Sequence, residues 1–270
     1  MAGPNLAQRG PVQSRVDLIA EVPGVLNVRI ADLERLNRID PLEVFTAFDG
    51  QVVAAGVHGR GIDQVRRDLD AGNQIAGARL AGFGSHPLVW VAPFVPSRVG
   101  VIVKESVRAT ARERFEASVH AKVEGLGSTI EAIDYVDDDP EAVEVALARF
   151  VRRPSARARA DRAGAASTDP LDACFVAITA LGGRLVRRGV PAHPGSMLWL
   201  ARIGRTAILG LPTCGAYSKA TAADLLLPRL LSGEGASERT VAKLGYGGIL
   251  TRSQRFRFPA YARELDAPDG

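Results

Sequence analysis

The chain is poor in the residues that build metal and disulfide frameworks. Cysteine occurs twice, at Cys174 and Cys214, with no CxxC pair. That gives no support to a zinc ribbon or a disulfide-stapled fold. The four histidines, His58, His86, His120 and His193, are scattered and form no HxxxH-type ligand pair. No run approaches the roughly 18 apolar residues needed to span a bilayer, so no membrane segment is expected. Met1 to Gln13 is polar and lacks the apolar stretch of a secretory signal, which predicts a cytoplasmic protein. No internal repeat of fixed period is visible.

What is present is ordinary for a folded chain. Of 270 residues, 46% are apolar and 24% charged. Enough apolar surface is therefore available to offset chain entropy, and the length suits one large domain or two modest ones. The formal net charge of +4 suits an anionic ligand without demanding one. Arginine forks match phosphate oxygens well, but arginine richness also follows from GC-rich coding.

Residues 14–95 read as a small α+β domain. Val16 to Ile19 and Val52 to Ala55 look like short strands, and Ile30 to Arg38 carries apolar residues at helical spacing. Asp63 to Gly84 mixes charge, Gly and Ala and yields no element. Pro93 and Pro96 punctuate the chain and suggest a boundary over Ala92 to Arg98. Residues 97–234 then alternate strand and helix signals, and 235–270 read as a C-terminal extension. Val99 to Val103, Thr129 to Tyr135, Arg184 to Arg188, Leu198 to Ile203 and Thr206 to Leu209 read as strands. Helices are expected over Arg108 to Leu126, Pro140 to Phe150, Asp172 to Leu181 and Ser218 to Leu231. The stripe of the second is Val143, Val145, Leu147 and Phe150, and Ser218 is a candidate cap of the last. Strands separated by such helices imply βαβ units and a mostly parallel sheet. Val99 to Val103, Thr129 to Tyr135 and Thr206 to Leu209 should share it.

Arg149 to Arg162 breaks this pattern, with six arginines where a buried strand is wanted. It reads as a basic phosphate or nucleic-acid loop, a solvated linker, or a locally altered reading frame. Burying several unpartnered arginines would cost several kcal/mol each, so Ala156 to Arg162 should not form a packed central strand.

In an open parallel sheet, ligands sit beyond the carboxyl ends of the strands. Three segments fall there. Val136-Asp137-Asp138-Asp139-Pro140-Glu141 can hold a divalent cation, or Asp138 or Asp139 can cap the next helix. Ala163 to Asp172 combines small residues, which let backbone approach a phosphate, with the hydroxyls of Ser167 and Thr168. Gly210 to Lys219 offers backbone N–H groups, Ser218, and Lys219 as a point charge.

These segments, with Gly182-Gly183-Arg184, His193-Pro194-Gly195-Ser196 and Arg202-Ile203-Gly204 between them, resemble the molybdopterin-binding domains of the molybdenum-cofactor biosynthesis superfamily. Order and spacing agree over about Ser97 to Glu234. The preceding region resembles a smaller domain found before this one in some bacterial members, including forms fused to cofactor nucleotidyltransferases. The resemblance implies a three-layer α/β/α domain with a mostly parallel sheet. It implies molybdopterin and Mg²⁺ as ligands, with Asp138 and Asp172 as the acidic residues around substrate and metal. Gly164, Ala165, Ser167, Thr168, Asp169, Pro194, Gly195, Gly210, Pro212, Ser218 and Lys219 would line the cofactor. Ala165 stands where the family has a second loop glycine.

Two activities are implied, molybdopterin molybdenumtransfer and nucleotidyl transfer. A non-catalytic module that carries molybdopterin or its adenylylated form is the alternative, and Ala165 favours it. Nucleic-acid binding through the arginine-rich stretch lacks aromatic platforms nearby. Expected partners are the pterin, a nucleotide or molybdate, a molybdoenzyme or cofactor nucleotidyltransferase, and a second copy of the chain.

Overall fold

A computed structural model describes residues 2–12, 15–40, 42–56, 63–66, 86–104, 109–152, 162–164, 172–211, 220–232 and 234–264. The chain divides into two compact units, Met1–Pro93 and Phe94–Gly270.

The first unit runs through β1 (Leu6–Val12), β2 (Arg15–Ala20), β3 (Gly24–Val28), α1 (Ile30–Leu36), β4 (Glu43–Thr46), β5 (Val52–Val53), β6 (Asp63–Arg66) and β7 (Val89–Pro93). Two antiparallel sheets result, ordered β1-β2-β6-β4 and β5-β3-β7. The anticipated strand at Val16 to Ile19 lies inside β2, and the helix begins at Ile30 but ends at Leu36. Asp63 to Arg66, unassigned from sequence, pairs with both β2 and β4. Leu26, Val28, Leu36, Val89 and Val91 are the buried centre of this unit.

The second unit contains β8 (Arg98–Val103), α2 (Ala109–Glu124), β9 (Thr129–Tyr135), α3 (Pro140–Val151), β10 (Arg162–Gly164) and α4 (Ala173–Ala180). It continues through β11 (Arg184–Arg188), β12 (Trp199–Ile203), β13 (Thr206–Gly210), α5 (Ala222–Leu231), α6 (Glu238–Ala242) and α7 (Ala260–Glu264). Its six-stranded sheet is ordered β11-β12-β13-β10-β8-β9. The strands expected to share a sheet, β8, β9 and β13, do so. The pairings β13–β10, β10–β8 and β8–β9 are parallel, while β11–β12 and β12–β13 are antiparallel. The architecture is mixed α/β, and these three are the parallel pairings between strands among the described residues, where antiparallel strand pairing prevails. The reason is local: Gly204-Arg205 joins β12 to β13 by a tight hairpin, and no helix intervenes to turn the chain round.

Side chains alternate across this sheet. On β8, Val99 and Val101 meet Phe115, Val119 and Val123 of α2. Ile102 points the other way, into a cluster with Val143, Leu147 and Phe150 of α3 and Phe175 and Ile178 of α4. Gly100 leaves room on that face for the Phe150 ring, which a Cβ would overlap. The stripe expected on α3 needs one correction, because Val145 is 66% exposed while Ala146 is buried. At 100° per residue, Val143, Ala146, Leu147 and Phe150 share a face and Val145 cannot.

Helix starts follow local chemistry. Asp139 caps α3, its carboxylate accepting from Ala142 N–H at 3.0 Å, with Pro140 in the first turn. Helix α5 begins at Ala222 and is capped by Thr221 in a reciprocal box with Asp224, so Ser218 is not its cap. Asp224 also pairs with Lys122 of α2 at 2.5 Å, and both side chains are buried. Residues 235–264 pack onto the same unit, through Val241 beside Leu226 and through Phe258 and Ala262 beside Leu225.

Arg162 is paired in β10 on both sides, with Val99 and with Ala207. Residues 156–161, the rest of the segment not expected to form a packed strand, lie outside the described residues.

Candidate functional site at the carboxyl rim of the sheet

Strands β8, β9, β10 and β13 run in one direction and end on one rim. Lys104 follows β8 directly. Its ammonium donates to both carboxylate oxygens of Asp138, at 3.1 and 3.3 Å, and to Oδ2 of Asp172. The Val136 N–H donates to the Val103 carbonyl at 3.0 Å, tying the exit of β9 to that of β8 and bringing the Asp138 turn alongside Lys104. Asp172 is the N-cap of α4, and its Oδ1 accepts from Cys174 N–H at 2.8 Å. The rival roles of Asp138 and Asp139 are thus divided: Asp139 caps α3, and Asp138 faces the lysine.

Exposure is uneven across this triad. The side chains of Lys104 and Asp172 are 8% and 6% exposed, that of Asp138 59%. Burial works to lower the pKa of Lys104, but the hydrogen bonds and charges of Asp172 and Asp138 outweigh it and hold the ammonium above its ordinary 10.5. Beside it, burial pushes the Cys174 thiol up to about 12, with the Asp172 charge adding to the effect. That thiol is neutral at physiological pH and is no nucleophile. At the end of β9, the Tyr135 hydroxyl donates to Glu116 at 2.9 Å, and the Arg112 guanidinium lies 3.5 Å from the Tyr135 ring centroid.

Gly164 is the last residue of β10, in register with Val101 and Leu209. Gly210 ends β13 opposite Trp199, and a Cβ there would overlap the indole. The Trp199 ring packs edge-on against Phe175, centroids 5.0 Å apart, and the Arg188 guanidinium lies over the Phe175 ring, 4.7 Å from its centroid. Pro194, after a cis peptide bond, and Gly195 belong to the loop between β11 and β12, which opens on the same rim. The Pro194 carbonyl accepts from Ala222 N–H at 2.9 Å, and Gly195 has φ +109°, so this turn rests on the start of α5. Ala165, Ser167, Thr168, Asp169, Pro212, Ser218 and Lys219 lie outside the described residues.

The residue that sequence reasoning missed is Lys104. Its signal was available: a lysine placed directly after a buried strand run stands where ligands of parallel sheets bind. The same location governs the fit of Mg²⁺. Asp138 and Asp172 do converge, but on an ammonium, and a divalent ion between them would have to displace it. Mg²⁺ is commonly held by one or two carboxylates with waters filling its octahedron, so it is the ammonium between Asp138 and Asp172, and not the number of carboxylates, that stands against it. Among the described residues, no group of three or more His, Cys, Asp or Glu is arranged to hold a metal. The donor set as folded does not fit the ion.

No protein-family model matches the chain, and no curated protein matches it. Among solved structures, it is similar to molybdenum cofactor biosynthesis protein B, at 15% identity and TM-score 0.38, over 52% of this chain and 96% of that one. It is also similar to the molybdopterin biosynthesis moea protein from Pyrococcus horikosii, at 13% identity and TM-score 0.34, over 86% of this chain and 77% of that one. No helix among the described residues is long and apolar enough to cross a membrane.

Proposed function

We propose that the second unit binds molybdopterin at the carboxyl rim of its six-stranded sheet and serves in molybdenum-cofactor biosynthesis as a binding module. On this reading residues 97–234 are a three-layer α/β/α molybdopterin domain, 14–95 the smaller domain before it, and 235–270 an extension. One observation carries the reading. Asp138 and Asp172, matched by the sequence resemblance from separate loops, meet at a single lysine where four parallel strands end. The exposed Asp138 carboxylate keeps lone pairs for pterin N–H donors, because two oxygens offer about four acceptor sites and Lys104 takes only part of them.

The binding reading is favoured over metal-dependent transfer because Lys104 already bridges the acidic pair and offsets one of its two charges, and the neighbouring thiol is protonated. If the chain is instead a transferase, it turns over ATP or molybdate in the presence of molybdopterin, and a molybdoenzyme or cofactor nucleotidyltransferase receives the product. Purified full-length protein, denatured and oxidised, should release a fluorescent pterin. Asp138→Ala, a surface substitution, should lower the amount retained. Absence of pterin from the wild type, with no calorimetric heat on adding molybdopterin, would refute the reading.

A further inference from the structure

We propose that Lys104 is a built-in cation, standing where a divalent metal would otherwise bridge Asp138 and Asp172, and that the rim site holds its ligand without a metal ion. The backbone leading to Lys104 is paired on both flanks, Val101 in register with Gly164 of β10 and Val103 with Tyr135 of β9. The Lys104 side chain is 8% exposed and donates to both carboxylates, so the ammonium occupies the position between them. Each oxygen of Asp172 already has a partner, Oδ2 the ammonium of Lys104 and Oδ1 the N–H of Cys174 at the start of α4. A metal gripping both oxygens would compete with the lysine and with the helix cap. The charge sum points the same way. Two carboxylates and one ammonium leave a single negative charge, presented at Asp138, the exposed member. Such a triad receives hydrogen-bond donors, N–H groups of a heterocycle, better than a phosphate bridged by metal. With Lys104 and Asp172 both buried, a hydrated divalent ion would also have to shed water to reach the position, against an ammonium that is already there.

The proposal rests on the function above only for the identity of the ligand, and its test contains no pterin. Mn²⁺ alone is titrated into full-length wild type, Asp138→Asn, Lys104→Met and Lys104→Met/Asp138→Asn, with free Mn²⁺ read by electron paramagnetic resonance. Wild type should bind Mn²⁺ no better than Asp138→Asn. Lys104→Met should gain one site, tighter than any in wild type by about tenfold or more, and that site should vanish in the double variant. An Asp138-dependent Mn²⁺ site in wild type overturns the proposal, and so does a folded Lys104→Met protein that gains none. Should Lys104→Met not fold, the wild type still decides: its melting temperature should be the same in EDTA and in millimolar Mg²⁺. An Mg²⁺-induced rise that Asp138→Asn abolishes would overturn the proposal. Pterin binding that fails while these metal results hold would count against the function alone.

Discussion

Removing the charge of Asp172 should destabilise the second unit, and the size of the loss can be divided between its two jobs. Asp172 caps α4 through Cys174 N–H, and it balances Lys104. Asparagine still caps a helix, so Asp172→Asn isolates the electrostatic part. Breaking one side of a buried ion pair costs about 3–5 kcal/mol. Here the ammonium keeps Asp138, which is largely exposed, so the lower end applies and about 3 kcal/mol is expected. Asp172→Ala loses the cap as well, adding about 1 kcal/mol. Lys104→Met leaves Asp172 buried without its cation and should cost about 3 kcal/mol on the same grounds. Lys104→Met/Asp172→Asn removes both charges together and should cost no more than either single change, a coupling of about 3 kcal/mol. Urea unfolding in a Trp90→Phe background gives the measurement, because fluorescence then reports the buried Trp199 of this unit. Additive losses below about 1 kcal/mol each would refute the pairing and the argument built on it.

Alkaline pH should weaken the same unit. The pKa of Lys104 is raised, so its contribution is full below 10.5 and is lost as pH climbs past that value. The Cys174 thiol moves in the same sense: the unfolded chain ionises it from 9.0 and the folded chain only at about 12. Urea midpoints should fall steadily above pH 9, and a rise there would contradict both assignments. In a Cys214→Ser variant at pH 8, Cys174 should react with a disulfide reagent about a hundredfold more slowly folded than in urea; equal rates would place the thiol at the surface. Gly210→Ala should cost about 1–3 kcal/mol through overlap with Trp199. Unchanged unfolding would show that the indole does not lie there.

Much of the local structure was legible without coordinates. Most of the α3 stripe, Val143, Leu147 and Phe150, and the Asp139-Pro140 start depend on residues three or four positions apart, and periodicity reports such neighbours directly. The rim location of the Asp138 segment was legible too, since it follows a strand signal and precedes a helix, whereas the strand before the Asp172 segment was hidden by the arginine-rich stretch and only the helix after it was legible. Val145 misled because apolarity alone does not say which side of a helix faces the core. Ser218 misled because a capping residue is identified by its reciprocal partner, and Thr221 has one in Asp224. The antiparallel edge of the six-stranded sheet, the place of β10 at its centre and the role of Lys104 came from tertiary structure alone. Lys104 meets Asp138 across 34 residues and Asp172 across 68. Contacts of that range depend on which strands pair and in what order. That order is set by burying both faces of the sheet together, a property of the whole unit that no short window of residues contains.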